Sequence, residues 1–265
     1  MAVHDYLGTE IQIRRQQAIH SRKDWIAKTP GAYNGARMVG FDDPERVGWD
    51  SVRRVAEEDG LVGFPGARET EILAAIARHL GPGWHTNTWL TYTGTPETVL
   101  PTCEAIERAV TLPTAWRKEI YLSPDDQAIG EVQTLNMACD ILPYPAYYSR
   151  GEDVPIITTL LRDKEGMPVA TGSACMRYHE NSRLGGCLFI GLISVDPRCR
   201  GKRLGSLVNA LTLIESHRAF GWTKVHEQVH ESNTASRKMI EACGLDRKED
   251  LCAVTASRDQ ARFSA

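Results

Sequence analysis

The stretch from Leu188 to Val208 limits the fold of this chain more than any other feature. An apolar, β-branched run ends at Val195-Asp-Pro197, which predicts a strand that stops there, because proline donates no ladder hydrogen bond. The apolar residues after it recur at helical spacing: Leu204, Leu207, Val208, Leu211 and Ile214. Between strand and helix lies a basic turn with glycine. Such a turn aims backbone N–H groups and the positive end of a helix at one point, which predicts a phosphate site.

The turn itself, Arg198-Cys-Arg-Gly-Lys-Arg203, fits neither common nucleotide-binding pattern. It lacks the Gly-x-Gly-x-x-Gly spacing of a dinucleotide fold, and no Gly-Lys-Ser/Thr closes it as in a P-loop. It resembles the pyrophosphate-binding turn of the GNAT acyltransferases, Arg/Gln-x-x-Gly-x-Gly/Ala, and Val195-x-Pro197 resembles the end of that family's fourth strand. Arg203 departs from the pattern at its last position. We expect Arg203 to have a negative φ, since a long side chain is tolerated poorly elsewhere.

A second block downstream supports the same resemblance. Lys224–Val229 is a strand candidate, Asn233 is a good helix N-cap, and Gly244 is a good stop for a short helix. The order strand, Asn, short helix, Gly and apolar residue resembles the second GNAT motif. In that family the Asn and the short helix line the far side of the pantetheine arm.

The resemblance implies an α/β (α+β) fold over residues 84–265: a mixed, mostly antiparallel sheet with a splayed parallel strand pair, flanked by helices. Residues 1–83 read as a mostly helical N-terminal extension, with helices predicted over 10–27, 50–58 and 68–80. We find no internal repeat and no second glycine turn in this half. The extension is expected to pack on the acyltransferase domain or to form a homodimer contact.

Composition excludes several classes of protein. The chain has 265 residues and a net charge of −3, which argues against a nucleic-acid or membrane-surface partner. It has no apolar run near ~20 residues and no basic segment followed by an apolar one at its start, so we expect neither a membrane span nor a signal peptide. Its seven cysteines are scattered, without a metal-ligand spacing. These features predict a reduced, cytoplasmic protein without a metal.

The resemblance also implies a donor and the residues that hold it. The donor would be an acyl-CoA, with acetyl-CoA expected, whose pantetheine arm inserts between the splayed strands as a pseudo-strand. Backbone groups there would gain partners that the splay removes. The implied donor-binding residues are Ile193, Ser194, Val195, Arg200, Gly201, Lys202, Arg203, Leu204, Gly205, Ser206 and Asn233.

The catalytic candidates are Glu227, His230 and Tyr148. Glu227 lies between two valines on the presumed core-facing side of its strand, where desolvation would raise its pKa toward that of a useful general base. His230, or His226, is the second candidate for the base, since an imidazole titrates near neutrality. Tyr148 belongs to a tyrosine- and proline-rich loop that would cover core or wall the acceptor pocket. The family's usual acid, a tyrosine on the last short helix, is replaced by Ile240, which cannot donate a proton.

Three functions follow from this pattern. The first is N-acyl transfer from acyl-CoA to the amine of a small-molecule acceptor. The second takes the acyl group from the phosphopantetheine arm of an acyl carrier protein, with the basic turn as a docking surface. The third is a non-catalytic module that binds or senses acyl-CoA, suggested by Ile240 and the unassigned N-terminal region. Turnover of any amine would eliminate the third.

Overall fold

The computed structural model describes residues 2–258 of the chain. The helices are α1 (Glu10–Ser21), α2 (Lys23–Ala27), α3 (Pro44–Val47), α4 (Trp49–Asp59), α5 (Glu69–His79), α6 (Pro96–Ala109), α7 (Asp126–Ala138), α8 (Ala146–Ser149), α9 (Leu204–Phe220) and α10 (Thr234–Ala242). The strands are β1 (Ala32–Asn34), β2 (Val39–Phe41), β3 (Leu61–Ala67), β4 (His85–Gly94), β5 (Arg117–Tyr121), β6 (Ile156–Arg162), β7 (Pro168–Cys175), β8 (Cys187–Val195), β9 (Lys224–Val229) and β10 (Asp246–Ser257).

These ten strands form one mixed sheet in the order β1-β2-β3-β10-β4-β9-β8-β7-β6-β5. Two neighbouring pairs, β2–β3 and β8–β9, are parallel, and every other neighbouring pair is antiparallel. The predicted fold class, a mostly antiparallel mixed sheet flanked by helices, is therefore confirmed. Strand β4 lies in the middle of the sheet between β9 and β10.

The parallel pair β8–β9 is splayed. The two strands pair from Cys187 with Lys224 to Ile190 with Glu227, and the ladder ends there. The rest of β8, residues 191–195, continues along β7 but has no partner on its β9 side. A gap thus opens between the two strands at the end where α9 and α10 begin.

A bulge in β8 accompanies the splay. Leu192 and Ile193 together oppose Gly172 of β7, so β8 carries one extra residue. Leu192 adopts a left-handed backbone with φ 54°. Such a bulge bends its strand and increases the local twist. The last residues of β8 are therefore directed away from β9, which opens the gap.

The connectivity of the sheet repeats about its two central strands, β4 and β10. In each half a helical connection joins two neighbouring parallel strands: β2 and β3 in one half, β8 and β9 in the other. A further helix, α5 or α10, then leads to a central strand, β4 or β10. Each central strand pairs with the parallel unit of the other half, because β4 lies beside β9 and β10 beside β3. No repeat is visible in the sequence, but the topology contains one. In this repeat the two halves exchange their last strands, β4 and β10.

The two halves differ at the connection from strand to helix. After β2 the chain is acidic, with Asp42, Asp43 and Glu45 where the other half has its basic turn. The Asp43 carboxylate caps α3 by accepting the backbone N–H of Arg46 at 3.1 Å, and the Asp42 carboxylate accepts that of Leu184 at 2.7 Å. Carboxylates there repel a phosphate and already occupy helix and loop N–H groups. The first half therefore offers no phosphate site of this kind.

The predicted boundary between residues 83 and 84 falls between α5 and β4, inside the first half of the repeat. Residues before it supply the predicted helices, but also three strands of the common sheet. The sequence pattern does not predict β3, because this strand contains glycines and a proline, which rarely occur within strands. Pro65 and Gly66 are tolerated because they oppose a single residue, Ala253, at an irregularity in the ladder with β10.

Candidate active site

A groove of ≈ 790 Å³ opens where β8 ends and where α9 and α10 begin. We call it the donor groove. Lys202 lies in the same turn but does not line it. The predicted donor-binding residues that do line it are Ile193, Ser194, Val195, Arg200, Gly201, Arg203, Leu204, Gly205, Ser206 and Asn233.

The basic turn leaves positive charge free for a ligand. Arg198 is held by Asp196, with Nη2 2.6 Å from Oδ2. The side chains of Arg200, Lys202 and Arg203, in contrast, make no ion pair or hydrogen bond with any residue of 2–258. The first backbone N–H groups of α9 have no intrahelical partner, as in any helix, and no side chain caps them. Free N–H groups at a helix start beside unpaired cations fit the diphosphate of a CoA donor.

Arg203 does not meet the expectation of a negative φ. Its φ is 59° and its ψ 17°, a left-handed conformation, and it is the N-cap of α9. The turn needs this conformation where the family pattern has Gly or Ala, and a long side chain pays a steric penalty there. Arg203 is exposed, so its side chain avoids a clash by extending into solvent.

Asn233 forms the opposite wall of the donor groove. Its Oδ1 accepts the backbone N–H of Ser236 at 3.1 Å and so caps α10, as predicted. Ser236 and Met239, on the first turns of α10, line the donor groove as well. The short helix and its cap therefore hold the groove open from the side opposite the basic turn.

The donor groove runs into a second cavity of ≈ 210 Å³, which we call the reaction chamber. The two share wall residues: Ile141, Ile193, Asn233, Ser236 and Met239. The chamber is also lined by both Glu227 and Gln228, which are consecutive in β9 and so point to opposite faces of the sheet. The chamber therefore passes through the gap between β8 and β9.

Glu227 is 3% exposed and lines the chamber. Burial raises its pKa to about 8, opposed by a hydrogen bond that Asn209 Nδ2 donates to Oε2 at 3.4 Å. No Lys, Arg or His pairs with this carboxyl within residues 2–258. A carboxyl that ionises near pH 8 beside the donor path has the properties of a general base for an amine.

His230 and Tyr148 occupy different environments. His230 lines the chamber, is exposed, and has Nδ1 2.8 Å from Ser232 Oγ. Tyr148 is fully buried, and its hydroxyl donates to the Asn34 carbonyl at 3.1 Å. Burial also raises the Tyr148 pKa well above its ordinary value. The structure thus removes Tyr148 from the cleft, and the loop tyrosine that lines the chamber is Tyr144.

Ile240 is 1% exposed and presents an apolar surface to the chamber. No phenol replaces the family's tyrosine on α10. The chamber groups with an exchangeable proton on this side are the hydroxyl of Ser236 and the imidazole of His230. Both are groups that can donate a proton to a leaving thiolate.

His226 is a structural residue. This alternative candidate for the base is only 2% exposed. Burial lowers its pKa to about 3, with Arg177 and Arg183 adding to the effect, so the imidazole is neutral at physiological pH. Its Nδ1 lies 3.0 Å from the Tyr178 hydroxyl and its Nε2 3.2 Å from Nε2 of Gln228. This network orients Gln228 at the wall of the chamber.

A third cavity, of ≈ 70 Å³, adjoins the chamber on the Gln228 side, and we call it the arginine pocket. Arg37 and Arg177 line it, and so do Gln228 and Thr255. Sequence reasoning missed all four of these residues. No local pattern marks Arg37 or Arg177, because their neighbours in the fold come from remote parts of the chain.

Residues 2–258 contain neither a metal cluster nor a membrane-spanning helix. That part of the chain has no group of three His, Cys, Asp or Glu side chains that could hold a metal ion. It also has no helix long and apolar enough to cross a membrane.

Comparisons with known proteins agree with this geometry. The chain resembles a GCN5-related N-acetyltransferase from Kribbella flavida (17% identity, 88% of this chain and 79% of the other, TM-score 0.54). It also resembles a tandem GNAT protein from the clavulanic acid biosynthesis pathway, solved without AcCoA (14% identity, 86% of this chain and 77% of the other, TM-score 0.52). A third similar structure is a GCN5-related N-acetyltransferase from Sphaerobacter thermophilus (14% identity, 86% of this chain and 75% of the other, TM-score 0.51). At these identities the likeness shows the fold. No curated protein sequence matched.

Residues 123–245 match the Acetyltransferase (GNAT) family. This segment runs from the residues before α7 to the end of α10 and contains the donor groove. The match identifies a GNAT acetyltransferase domain in this segment of the chain.

Proposed function

We propose that this protein is an N-acyltransferase that moves an acyl group directly from an acyl-CoA thioester to the amine of a small-molecule acceptor. The observation that carries the proposal is the continuity between the donor groove and the reaction chamber. A pantetheine arm laid along residues 191–195 of β8 would bring its thioester to the gap where Glu227 lies. Acetyl-CoA is the expected donor.

The residues of the chain divide the work as follows. The basic turn and the α9 N-terminus bind the diphosphate, and the unpaired edge of β8 positions the arm, so the thioester and the amine meet in one orientation. Glu227, once ionised, accepts a proton from the ammonium of the acceptor. The free amine then attacks the thioester carbonyl, and the C–S bond breaks as the amide forms. The departing thiolate takes a proton from Ser236, from His230 or from water.

An acyl carrier protein is the alternative donor. The unpaired Arg200, Lys202 and Arg203 favour it as well, because an exposed basic turn suits an acidic carrier surface. A carrier would fill the inner part of the donor groove with its pantetheine arm and leave the diphosphate site empty. Competition between free CoA and an acylated carrier protein would distinguish the two donors.

Isothermal titration with acetyl-CoA, with CoA alone as the comparison, tests the proposal first. We expect micromolar binding, followed by CoA release when amines are added. Absence of binding in a folded sample would contradict the CoA donor and direct the assay to an acylated carrier protein. Binding without turnover of any amine would favour the non-catalytic module. We further propose a cytoplasmic location, which the seven scattered cysteines support.

A further inference from the structure

The arginine pocket holds two guanidinium groups without a carboxylate partner. Arg177 is 8% exposed and Arg37 is partly buried. Arg177 donates to the Tyr178 hydroxyl at 3.1 Å, and its Nε has no partner at all. Arg37 donates to the Leu142 carbonyl at 3.1 Å. Neither arginine forms an ion pair with any carboxylate of residues 2–258.

Aromatic faces compensate only part of the cost of these buried charges. The Arg177 guanidinium carbon lies 3.5 Å from the ring centre of Phe189 and 4.5 Å from that of Tyr33. Arg37 lies over the Tyr144 ring at 6.0 Å. Cation–π contacts recover less free energy than the burial of an unpaired guanidinium costs. The two cations also repel each other: the pKa of Arg37 is lowered mainly by burial, and in part by Arg177. An anion between them would relieve both costs.

Other polar groups of the pocket are also available. The Thr255 hydroxyl is buried without a hydrogen-bond partner, and it lines both the arginine pocket and the reaction chamber. Gln228 lines both cavities too. No Asp or Glu lines the arginine pocket. A cavity of ≈ 70 Å³ is large enough for a carboxylate, whereas the body of a larger molecule would extend into the chamber.

We propose that the arginine pocket binds a carboxylate of the acyl acceptor, so that the substrates are amines that also carry a carboxylate, such as amino acids. The inference rests on the proposed function, since it assigns the acceptor side of the same cleft. Arg37 and Arg177 would bind the carboxylate, as guanidinium groups do in paired, charge-assisted hydrogen bonds. The amine would then lie toward Glu227 in the chamber.

This arrangement gives the N-terminal half a role in the reaction. Arg37 belongs to the turn between β1 and β2, and Tyr33 of β1 lines the same pocket. Thr255 comes from β10, the strand that the halves exchange. The first half has no phosphate site of its own, but it supplies one wall of the acceptor site that serves the other half.

The test compares carboxylates with their amides. The probes are N-acetyl-amino acids, which resemble the product, and the matching N-acetyl-amino acid amides. Pairs with different amino acid side chains are titrated into the protein by calorimetry. We expect the carboxylate form of at least one pair to bind at least 10-fold tighter than its amide. In Arg37→Gln that preference should fall about 10-fold, because a charge-assisted hydrogen bond is lost. In Arg177→Lys it should also fall, because an ammonium lacks the paired donors of a guanidinium. Arg68→Gln, an exposed arginine paired with Glu71, is the matched control and should keep it.

Several outcomes would overturn the inference. One is that no probe binds, or that every amide binds as well as its carboxylate. Another is that Arg37→Gln loses affinity equally for both forms. This variant leaves the buried Arg177 in place, so its result does not depend on whether a chain with a substituted Arg177 folds. A third concerns the source of the carboxylate: if the arginine variants weaken only a carboxylate-ended donor such as succinyl-CoA, the pocket holds the acyl group instead.

Acetyl-CoA titration separates failure of this inference from failure of the proposed function. Acetyl-CoA binding without a carboxylate preference would refute the arginine pocket alone. An Arg37-dependent carboxylate preference without acetyl-CoA binding would leave the pocket standing and refute the CoA donor. When turnover is established, the same variants should lower kcat/KM for carboxylate-bearing amines and leave the KM for acetyl-CoA unchanged.

Discussion

Replacement of Glu227 by glutamine tests the general base and the cost of its burial in one variant. Glutamine has the same shape and stays within reach of Asn209, but it never ionises. The pKa of Glu227 is raised from 4.5 to about 8, because the carboxyl is buried without a cation. Glu231→Gln, in the exposed loop after β9, is the matched control.

The effect on stability follows from proton linkage. Between pH 4.5 and about 8 the folded chain keeps a proton on Glu227 that the unfolded chain has lost, so the free energy of unfolding falls as the pH rises. Each pH unit in that window is worth about 1.4 kcal/mol, which makes about 5 kcal/mol in all. About 3 kcal/mol of this is lost between pH 6 and pH 9. Urea unfolding at these two pH values should show that loss in the wild type and in Glu231→Gln. Glu227→Gln should lack it.

The effect on catalysis is separate. In the wild type, kcat/KM should rise with pH through about 8 as the carboxyl ionises. Glu227→Gln should reduce kcat/KM by about 100-fold or more and leave only the limb that belongs to ionisation of the free amine. A variant that keeps the limb near pH 8, or keeps its activity, would refute Glu227 as the base. An unchanged pH dependence of stability would refute the buried, protonated carboxyl.

Three further predictions concern the donor groove and the buried imidazole. Gly205→Glu should abolish acetyl-CoA binding in calorimetry while leaving the circular dichroism spectrum intact, because the carboxylate would meet the diphosphate; Gly205→Ala, whose Cβ would come no closer than 3.4 Å to Met239 Sδ, is the control. Arg203→Gly should stabilise the chain by about 1 kcal/mol in urea unfolding, since glycine adopts φ 59° freely, and no gain would show that the side chain makes a compensating contact. His226 keeps a pKa of about 3 when folded, so below pH 6.5 the unfolded chain binds a proton that the folded chain does not, and at pH 5 this costs about 2 kcal/mol. His226→Asn should lose that acid sensitivity. The wild-type imidazole NMR signal that disappears in His226→Asn belongs to His226, and titration of that signal near pH 6.5 would contradict the assignment.

The donor side of the site was predictable because its signals are local. A proline ends β8, helical spacing begins at Leu204, and Asn233 caps α10 through a hydrogen bond to a residue three positions later. Each feature depends on residues within one turn or one strand. The left-handed Arg203 was not predictable, since a side chain alone does not reveal the φ that a turn imposes on it.

The catalytic candidates show where such reasoning stops. Glu227 was predicted from alternation along β9, which places it among valines, and the structure places it in the chamber. His226 lies on the opposite face of β9, where Tyr178 of the loop after β7 and Phe189 of β8 pack against its imidazole. Tyr148 was one of three tyrosines in a loop, and only packing distinguishes its buried hydroxyl from that of Tyr144.

The sequence by itself determined where β8 ends and α9 begins, the cap of α10 and the position of Glu227 in β9, because short-range backbone and spacing rules govern all of them. The fold class followed from the resemblance to the GNAT family. The tertiary structure alone decided that the two halves exchange strands β4 and β10, and that Arg37 and Arg177 face one pocket. The contacts that build that pocket join distant parts of the chain, as when Arg37 binds the Leu142 carbonyl 105 residues away. Such pairings depend on which surfaces meet when the sheet closes. No local pattern encodes them.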